Sequence, residues 1–179
     1  MPSEAYHGMI CGPSDGGKTT RGREHHETFD GVSVWVNHNG ASKVAGHRAV
    51  GPKAMATGVG KFDEWSDVRI NLLCDDPVEG FELALSFAVD VWDTAGVPVQ
   101  IVIDEIHNAF GKDRPNAEDH PIITALNEGR DRGVKVMAIT QNPQNMPYKK
   151  MDSVKYWVWV GEWSTPMTGF LEYYGFKDK

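Results

Sequence analysis

Apolar residues occur in short runs along the chain, and most of these runs are bounded by glycine, proline or polar residues. Such runs predict strands where they are rich in β-branched residues. The run Val97–Ile103 is apolar almost throughout, as expected of a strand that is covered on both faces of a parallel sheet. The predicted strands are Tyr6–Cys11, Val32–Val36, Val68–Leu73, Val97–Ile103, Val134–Thr140 and Val154–Val160.

Helical patterns lie between these runs. Asp76 can cap a helix whose first position suits Pro77, and apolar residues then recur at helical spacing until Gly96. The other predicted helices span residues 18–28, 121–132 and 166–174. The alternation of strands and helices predicts an α/β fold, a three-layer sandwich with a mostly parallel central sheet. Ligands of such folds bind at the carboxyl ends of the strands.

Two further segments lack these patterns. Residues 37–60 contain five glycines and predict mainly loop, with room for a short strand or hairpin. Residues 115–119 also predict a loop. The length of 179 residues is typical of one domain, so we expect a single domain over residues 1–179.

Composition narrows the class of protein. Apolar residues make up 40% of the chain, which is ordinary for a folded globular protein. No apolar run is long enough to span a bilayer, and the N-terminus lacks the pattern of a signal peptide. Cys11 and Cys74 form no metal-ligand cluster and no disulfide framework, which favours a reducing compartment.

Charge is unevenly distributed along the chain. The formal net charge of −7 argues against a protein covered in basic surface for nucleic acid. However, residues 31–62 contain no Asp or Glu. The basic residues that we single out in this window are Lys43, Arg48, Lys53 and Lys61. A local basic strip is therefore compatible with the acidic total.

The first strand runs into a glycine-rich turn that matches the pattern G-x-x-x-x-G-K-[ST]. Glycines let the backbone wrap tightly, so that successive N–H groups converge on phosphate oxygens, and the next helix directs its positive end at the same anion. Lys18 would reach the β- and γ-phosphates, and the Thr19 hydroxyl would bind Mg²⁺. The predicted nucleotide-binding residues are Gly12, Pro13, Ser14, Asp15, Gly16, Gly17, Lys18, Thr19 and Thr20. The strand before and the helix after the turn favour this interpretation over a chance surface turn.

Two adjacent carboxylates follow the apolar strand that ends at Ile103. Asp104 can hold Mg²⁺ through water, and Glu105 can polarise the water that attacks the γ-phosphate. An acidic pair at a strand end can also cap a helix. The phosphate loop upstream favours catalysis, and the glutamate is more typical of hydrolases that couple ATP to mechanical work than of kinases.

Polar residues also end the strand Val134–Thr140, which we expect to lie beside the strand that carries the acidic pair. Gln141 could bond the attacking water or the γ-phosphate, and Thr140 is the second candidate. Just upstream, Arg130 and Arg132 are either ordinary surface charges or an arginine finger for the nucleotide of a neighbouring subunit. Arginine suits that role because its planar, permanently charged group can bind two phosphate oxygens.

Taken in order, these motifs resemble the FtsK–HerA superfamily of DNA-pumping ATPases. The compact size is similar to that of the genome-packaging ATPases of tailless icosahedral viruses with an internal membrane. The sequence G-R-x-x-G before a strand that ends in Gln points to this family rather than to P-loop proteins in general. The segments that carry the resemblance are Gly12–Thr19, Ile101–Glu105, Glu128–Gly133 and Ile139–Pro143.

The resemblance implies a RecA-like core, ATP and Mg²⁺ as ligands, and a homohexameric ring around double-stranded DNA. It implies that Lys18 and Thr19 bind nucleotide and metal, and that Asp104 and Glu105 act on Mg²⁺ and water. It further makes Gln141 the sensor and Arg130 the trans-acting finger, with Arg132 second. The segment 37–61 could then face the DNA in the pore, with a mobile solvated loop as the alternative.

The function expected from this resemblance is ATP-driven packaging of viral double-stranded DNA into a preformed capsid. The expected location is the host-cell cytoplasm, in association with the virion vertex and with capsid-vertex or membrane-associated virion proteins. One alternative is a P-loop nucleoside kinase, although one such family needs four zinc-binding cysteines and this chain has 2. The other alternative is an assembly or export factor that uses ATP binding as a switch.

Overall fold

A seven-stranded sheet organises the part of the chain that the computed structural model describes, which is residues 6–38, 40, 42–59, 65, 67–110, 120–147, 151 and 153–162. The strands are β1 (His7–Cys11), β2 (Val32–His38), β3 (His47–Ala49), β4 (Val68–Cys74), β5 (Val99–Ile103), β6 (Val134–Thr140) and β7 (Val154–Trp159). Their order is β3-β4-β2-β5-β6-β1-β7, and every pairing between them is parallel. The predicted α/β class with a parallel central sheet is confirmed.

Four α-helices flank this sheet within the described residues: α1 (Lys18–Thr28), α2 (Pro52–Val59), α3 (Pro77–Ala95) and α4 (Pro121–Glu128). Short 3₁₀ turns span Ile106–Phe110, Gly129–Arg132 and Pro143–Asn145. The helix predicted over 121–132 is therefore α-helical only to Glu128 and tightens into a 3₁₀ turn, which ends at Gly133 with φ 64°. The predicted loop 115–119 and helix 166–174 lie outside the described residues.

Helix α3 shows how local sequence sets an element. The Asp76 carboxylate accepts hydrogen bonds from the backbone N–H groups of Val78 and Glu79, which would otherwise be unpaired in the first turn. Pro77 occupies the first helical position, as predicted. Gly96 ends the helix at φ 65°, and its N–H donates to the carbonyl of Trp92.

The glycine-rich segment 37–60 is more ordered than the sequence predicts. It contains the edge strand β3, which pairs with β4 and is the short strand that the sequence allowed. It also contains the helix α2, where the prediction of loop is wrong. Pro52 begins the helix, which includes Gly58 and has no acidic residue in its first turn. Burial supplies the stability instead, because Met55 is fully enclosed in the core.

The core has two parts, one on each face of the sheet. The larger part includes residues of α3 and α4. The smaller part lies on the face that α1 covers, and it consists of Ile10, Trp35, Val102, Met137 and Ile139. Helix α1 approaches this face closely at Gly22, where an added Cβ would lie 2.3 Å from Cδ1 of Ile139 and 3.1 Å from the Trp35 ring. Gly22 therefore lowers the helix propensity of α1 but permits close packing of this helix on the sheet.

Arg69, near the start of β4, stabilises the end of α1. Its side chain is almost fully buried, and its guanidinium donates to backbone carbonyls around the helix C-terminus. The accepting carbonyls are those of Glu27, Phe29, Gly31 and Val68. Carbonyls at a helix end have no partner within the helix, so Arg69 satisfies groups that would otherwise be buried without a hydrogen bond.

A buried histidine connects α1 to the sheet and to the segment after β2. The carbonyl of Ala45 can only accept, so Nε2 of His26 carries the proton and donates to it at 3.1 Å. Nδ1 of His26 then accepts from the Ser33 hydroxyl at 2.8 Å, and the same hydroxyl accepts from the Gln100 amide at 3.2 Å. The neutral ring fits this network. In the protonated ring Nδ1 would become a donor, and it would then face a hydroxyl that already accepts from Gln100.

Lowering the pH from 7.5 to 4.5 is expected to reduce the free energy of unfolding by about 2.5 kcal/mol through His26. Burial lowers the pKa of His26 from 6.5 to about 4. Because the folded pKa lies below the unfolded one, the stabilisation is complete above pH 6.5 and is lost as the pH falls toward 4. Urea unfolding at both pH values measures the loss. In His26→Gln the free energy of unfolding should fall less between the two pH values, because the contribution of His26 is removed. A fall as large as in the wild type would contradict the prediction.

Candidate nucleotide site

The predicted phosphate loop follows β1 at the carboxyl edge of the sheet. At Gly12 the loop lies directly against the residue that follows β7, since an added Cβ would come within 2.0 Å of the Val160 carbonyl oxygen. The backbone N–H of Val160 donates to the Cys11 carbonyl at 2.9 Å, which fixes the two strand ends together. Any side chain at position 12 would clash with Val160 and displace the loop from the end of β7.

The other end of the loop is open. Gly17 caps α1 at φ 89°, no side chain occupies the capping position, and an added Cβ would meet no atom within 4 Å. Asp15 also has a positive φ, 60°, which Asp tolerates better than most residues. The N-terminus of α1 thus has no side-chain cap, an arrangement that suits the binding of a phosphate group.

Lys18 and Thr19 extend from the first turn of α1. Lys18 is buried, and its ammonium donates to the Pro13 carbonyl at 2.6 Å, so the side chain folds over its own loop. The Thr19 hydroxyl donates to Oδ2 of Asp104 at 3.2 Å. This contact joins the loop to the acidic pair, which lies 85 residues further along the chain. Thr20 is exposed beside them.

Asp104 follows β5, and three donors surround its carboxylate. Oδ2 accepts from the hydroxyls of Thr19 and of Ser42, and Oδ1 accepts from the backbone N–H of Glu105. A hydroxyl and a carboxylate in contact beside a phosphate loop are suitable ligands for Mg²⁺, which prefers oxygen and keeps several waters. Among the described residues no group of three or more His, Cys, Asp and Glu could hold a metal ion. The Thr19 hydroxyl and the Asp104 carboxylate are oxygen ligands of the kind that fits magnesium, and their role in binding the metal stays a prediction.

Ser42 is a site residue that the sequence did not indicate. Its hydroxyl lies 3.0 Å from Oδ2 of Asp104. The buried Asn37 holds this segment in place, because its amide donates to the Ser42 carbonyl and its oxygen accepts from the Ser42 N–H. Asn71 on β4 accepts from the same amide at 3.0 Å. A serine in a glycine-rich segment carries no motif, so the only available signal was an asparagine at the end of a predicted strand.

Glu105 begins a sharp turn after β5. Its φ of 50° lies in the left-handed region, which costs a residue with a Cβ roughly 1–2 kcal/mol. Burial and then the neighbouring Asp104 raise the pKa of the Glu105 carboxyl, while Lys18 and a backbone hydrogen bond from Gln141 lower it. A carboxylate with a raised pKa is a better proton acceptor, which is useful in a general base.

The predicted sensor residues lie beside this pair. Strand β6 lies between β5 and β1, so its carboxyl end meets both the acidic pair and the phosphate loop. The Ser14 hydroxyl of the loop donates to Oε1 of Gln141 at 2.7 Å. Thr140 is buried and contacts Nδ1 of His107 at 3.0 Å. The structure therefore brings Gln141 to the loop and directs Thr140 toward a histidine.

The two arginines lie at the opposite edge of the sheet. Arg130 precedes β6, is exposed, and lies over the ring of Tyr6 at 5.2 Å from its centroid. Arg132, in the same 3₁₀ turn, is also exposed. The 7 residues of β6 separate this edge from the phosphate loop by roughly 20 Å. Neither arginine therefore contacts the nucleotide site of its own chain, and a role in a neighbouring subunit stays a prediction.

The parallel sheet, the loop after β1 and the acidic pair after β5 together define the P-loop nucleoside triphosphatase fold. No family model matches the chain, and no curated protein matches it by sequence. Solved structures do match. The genome-packaging NTPase B204 from Sulfolobus turreted icosahedral virus 2, in complex with sulfate, superposes with a TM-score of 0.72 at 14% identity, over 96% of this chain and 82% of B204.

Two other solved structures extend the comparison. B204 from Sulfolobus turreted icosahedral virus, described as a DNA-packaging ATPase, gives a TM-score of 0.70 at 14% identity over 96% of this chain and 83% of that one. The N-terminal domain of zonular occludens toxin from Neisseria meningitidis gives a TM-score of 0.52 at 16% identity, over 92% of this chain and 80% of that domain. The predicted resemblance to viral packaging ATPases is thus confirmed at the level of the fold. None of the helices among the described residues is both long and apolar enough to cross a membrane.

Proposed function

We propose that this chain hydrolyses ATP to drive double-stranded DNA of a virus into a preformed capsid. One observation carries the hydrolytic part: the loop hydroxyl of Thr19 contacts Asp104 while Gln141 contacts Ser14, so loop, acidic pair and sensor form one cluster. The likeness of the fold to B204, which is described as a DNA-packaging ATPase, supports the packaging part. Two further structures of B204 from Sulfolobus turreted icosahedral virus 2 are in complex with AMPPCP and with ATP-γS, which supports ATP as the nucleotide here.

The chemistry follows from the roles of the individual residues. The N–H groups at the start of α1 and the Lys18 ammonium bind the β- and γ-phosphates, and the lysine exchanges the Pro13 carbonyl for them. Glu105 accepts a proton from the attacking water, and Gln141 orients that water or the γ-phosphate. Thr19 and Asp104 would hold Mg²⁺, which would supply positive charge beside the phosphates.

The proposed assembly is a homohexameric ring around duplex DNA. Arg130 lies far from the site of its own chain and is exposed, which supports a role at the site of a neighbouring subunit. We place this motor in the host-cell cytoplasm, where it would dock to a capsid vertex or to membrane-associated virion proteins. The segment 37–61, which contains β3 and α2, is the candidate for the DNA-facing surface.

The basic residues of this segment differ in their surroundings. Lys43, Arg48 and Lys53 are all exposed, but Arg48 also lines a cavity of about 590 Å³ together with Asp75 and Glu79. Two carboxylates beside Arg48 would repel a phosphate backbone. Lys43 and Lys53 are therefore the first candidates for DNA contact, and Lys61 lies outside the described residues.

Duplex DNA is expected to stimulate ATP hydrolysis by the wild-type chain, and the double variant Lys43→Glu/Lys53→Glu should lose this stimulation. Each lost phosphate contact should also reduce the salt slope of DNA affinity by about 1. ATPase assays with and without DNA, and DNA titrations at several salt concentrations, give both quantities. Lys155→Glu, at an exposed position of β7, changes the charge by as much as each of the two substitutions alone and should keep the stimulation.

Other outcomes would replace the proposal. Hydrolysis that ignores DNA but requires a nucleoside acceptor would identify a kinase. Tight ATP binding without turnover, in the presence and absence of DNA, would identify a nucleotide-switched assembly factor. Stimulation that survives in the Lys43→Glu/Lys53→Glu variant would leave the motor in place and move its DNA contacts elsewhere.

A further inference from the structure

Ser42 belongs to no motif in the sequence, yet its hydroxyl contacts the acidic pair. The hydroxyl donates to Oδ2 of Asp104 at 3.0 Å, and the Thr19 hydroxyl donates to the same oxygen at 3.2 Å. The third donor is the backbone N–H of Glu105, which contacts Oδ1 at 3.0 Å. The Asp104 carboxylate is therefore held at both of its oxygens, and one of the donors comes from the segment after β2.

The directions of these hydrogen bonds show what the carboxylate can still bind. An ionised carboxylate can only accept, so both hydroxyls give their protons to Oδ2. A carboxylate has roughly four lone-pair sites, and the three donors in the described part of the chain leave about one of them, on Oδ1, for a metal ion or a metal-bound water. The direction of this remaining site depends on how the carboxylate is rotated.

A buried side chain fixes the position of Ser42. Asn37 is only 2% exposed; its amide donates to the Ser42 carbonyl at 2.8 Å, and its oxygen accepts from the Ser42 N–H at 3.0 Å. The same amide donates to Oδ1 of Asn71 on β4 at 3.0 Å, and Asn71 donates to the Val44 carbonyl at 3.4 Å. Because both backbone groups of Ser42 are paired in this way, its hydroxyl reaches Asp104 from a fixed backbone, with little further loss of conformational entropy.

We propose that Ser42 is a positioning residue of the magnesium site, whose hydroxyl fixes the rotation of the Asp104 carboxylate and so sets the direction of the remaining acceptor site. The inference rests on the nucleotide and magnesium binding that belong to the proposed function. Without Ser42, Thr19 would be the remaining donor to Oδ2 among the described residues, and Thr19 is itself a predicted metal ligand. Removing a residue that orients a metal ligand typically lowers metal affinity about 10- to 100-fold.

The magnesium dependence of nucleotide binding separates this role from a structural one. The affinity for a fluorescent, non-hydrolysable ATP analogue is measured first in EDTA and then at increasing Mg²⁺ concentrations. Ser42→Ala is expected to raise the Mg²⁺ concentration for the half-maximal effect about 10-fold or more. The affinity in EDTA should stay unchanged, because Lys18 and the N-terminus of α1 are untouched.

Two further variants control this measurement. Ser42→Thr keeps a hydroxyl at the same position and should restore most of the magnesium effect. Ser86→Ala removes an exposed hydroxyl from α3 and should leave the binding unchanged both in EDTA and in Mg²⁺.

A double-mutant cycle tests whether Ser42 acts through Asp104. Asp104→Asn should by itself raise the Mg²⁺ requirement. In that background Ser42→Ala should change the requirement by less than about 2-fold, because the charged ligand that Ser42 orients has been removed. A structural role predicts the full effect of Ser42→Ala in both backgrounds.

The outcomes distinguish this inference from the proposed function. Full additivity in the cycle, an unchanged Mg²⁺ requirement in Ser42→Ala, or an equal loss of affinity in EDTA and in Mg²⁺ would each overturn the positioning role. A wild-type chain that binds the analogue with Mg²⁺ but does not hydrolyse ATP would refute the hydrolytic function, and a raised Mg²⁺ requirement in Ser42→Ala would still support the inference. A wild-type affinity that ignores Mg²⁺ would refute the metal site and the inference with it.

Discussion

Glu105→Gln is expected to lower kcat for ATP hydrolysis by about 10²–10⁴-fold, the range that a general base contributes. The amide keeps the shape of the carboxylate but cannot accept the proton of the attacking water. Lys18, Thr19 and the N-terminus of α1 are untouched, so the affinity for ATP should change little. Single-turnover hydrolysis and binding of a fluorescent ATP analogue give the two quantities separately.

Matched controls make this result specific. Glu128→Gln removes an exposed carboxylate at the end of α4 and should leave kcat unchanged. Asp104→Asn should instead raise the Mg²⁺ concentration needed for half-maximal activity, because Asp104 rather than Glu105 contacts Thr19. If Glu105→Gln kept wild-type turnover, another group would have to accept the proton, and the assignment of Glu105 as general base would be wrong.

The sequence was most informative where a function depends on neighbouring residues. The phosphate loop, the Asp76 cap and the acidic pair are contiguous patterns. The Asp76 cap is observed as predicted, the loop lies between a strand and a helix, and the acidic pair lies beside the loop, while the roles of these residues in binding and hydrolysis stay predictions. The parallel sheet could also be predicted, because strands such as Val134–Thr140 are uniformly apolar and alternate with helices. The placement of Gln141 beside the loop followed from the same rule about strand ends.

Contacts between distant positions could not be predicted in this way. Ser42 and Asp104 are 62 residues apart, and no local pattern marks a serine that a buried asparagine holds in place. Arg69 reaches back 42 residues to the Glu27 carbonyl at the end of α1. His107 belongs to no motif in the sequence, and its contacts with Glu105 and Thr140 appear only in three dimensions.

The segment 37–60 shows a different reason for error. Its glycines lower the intrinsic preference for any regular element, and this preference was the basis for predicting loop. Tertiary packing overrides it, because β3 extends the sheet beside β4 and Met55 fills a place in the core. The consequence for function is that Lys53 projects from a helix, which fixes its position relative to Lys43 better than a loop would.

Arg130→Ala is expected to lower kcat by at least about 10³-fold if this residue acts as an arginine finger. Arg130 lies too far from the phosphate loop of its own chain to act there, so such a loss would have to come from the site of a neighbouring subunit. Arg130 lies before β6 and the phosphate loop lies beyond its other end, so the guanidinium cannot reach its own nucleotide. If Arg130 acted only by stacking on Tyr6, Arg130→Ala would lower the stability by roughly 0.5–1 kcal/mol and would change the activity little.

Arg132→Ala is the matched control, since Arg132 is exposed in the same 3₁₀ turn, and it should retain most activity if Arg130 is the finger. Light scattering with a non-hydrolysable ATP analogue tests whether a ring forms. A strict monomer under all nucleotide and DNA conditions, together with unchanged activity of Arg130→Ala, would remove the trans-acting role.

Mixing two inactive variants tests the trans role directly. Arg130→Ala subunits keep Glu105, and Glu105→Gln subunits keep Arg130, so a mixed ring contains sites at which one subunit supplies the base and its neighbour supplies the finger. Activity of the mixture should therefore exceed that of either variant alone. A cis or structural role predicts no recovery, because every Arg130→Ala chain would retain its own defect whatever its neighbour. Recovery would show that each phosphate loop is completed by the amino edge of an adjacent sheet, and that hydrolysis depends on assembly of the ring.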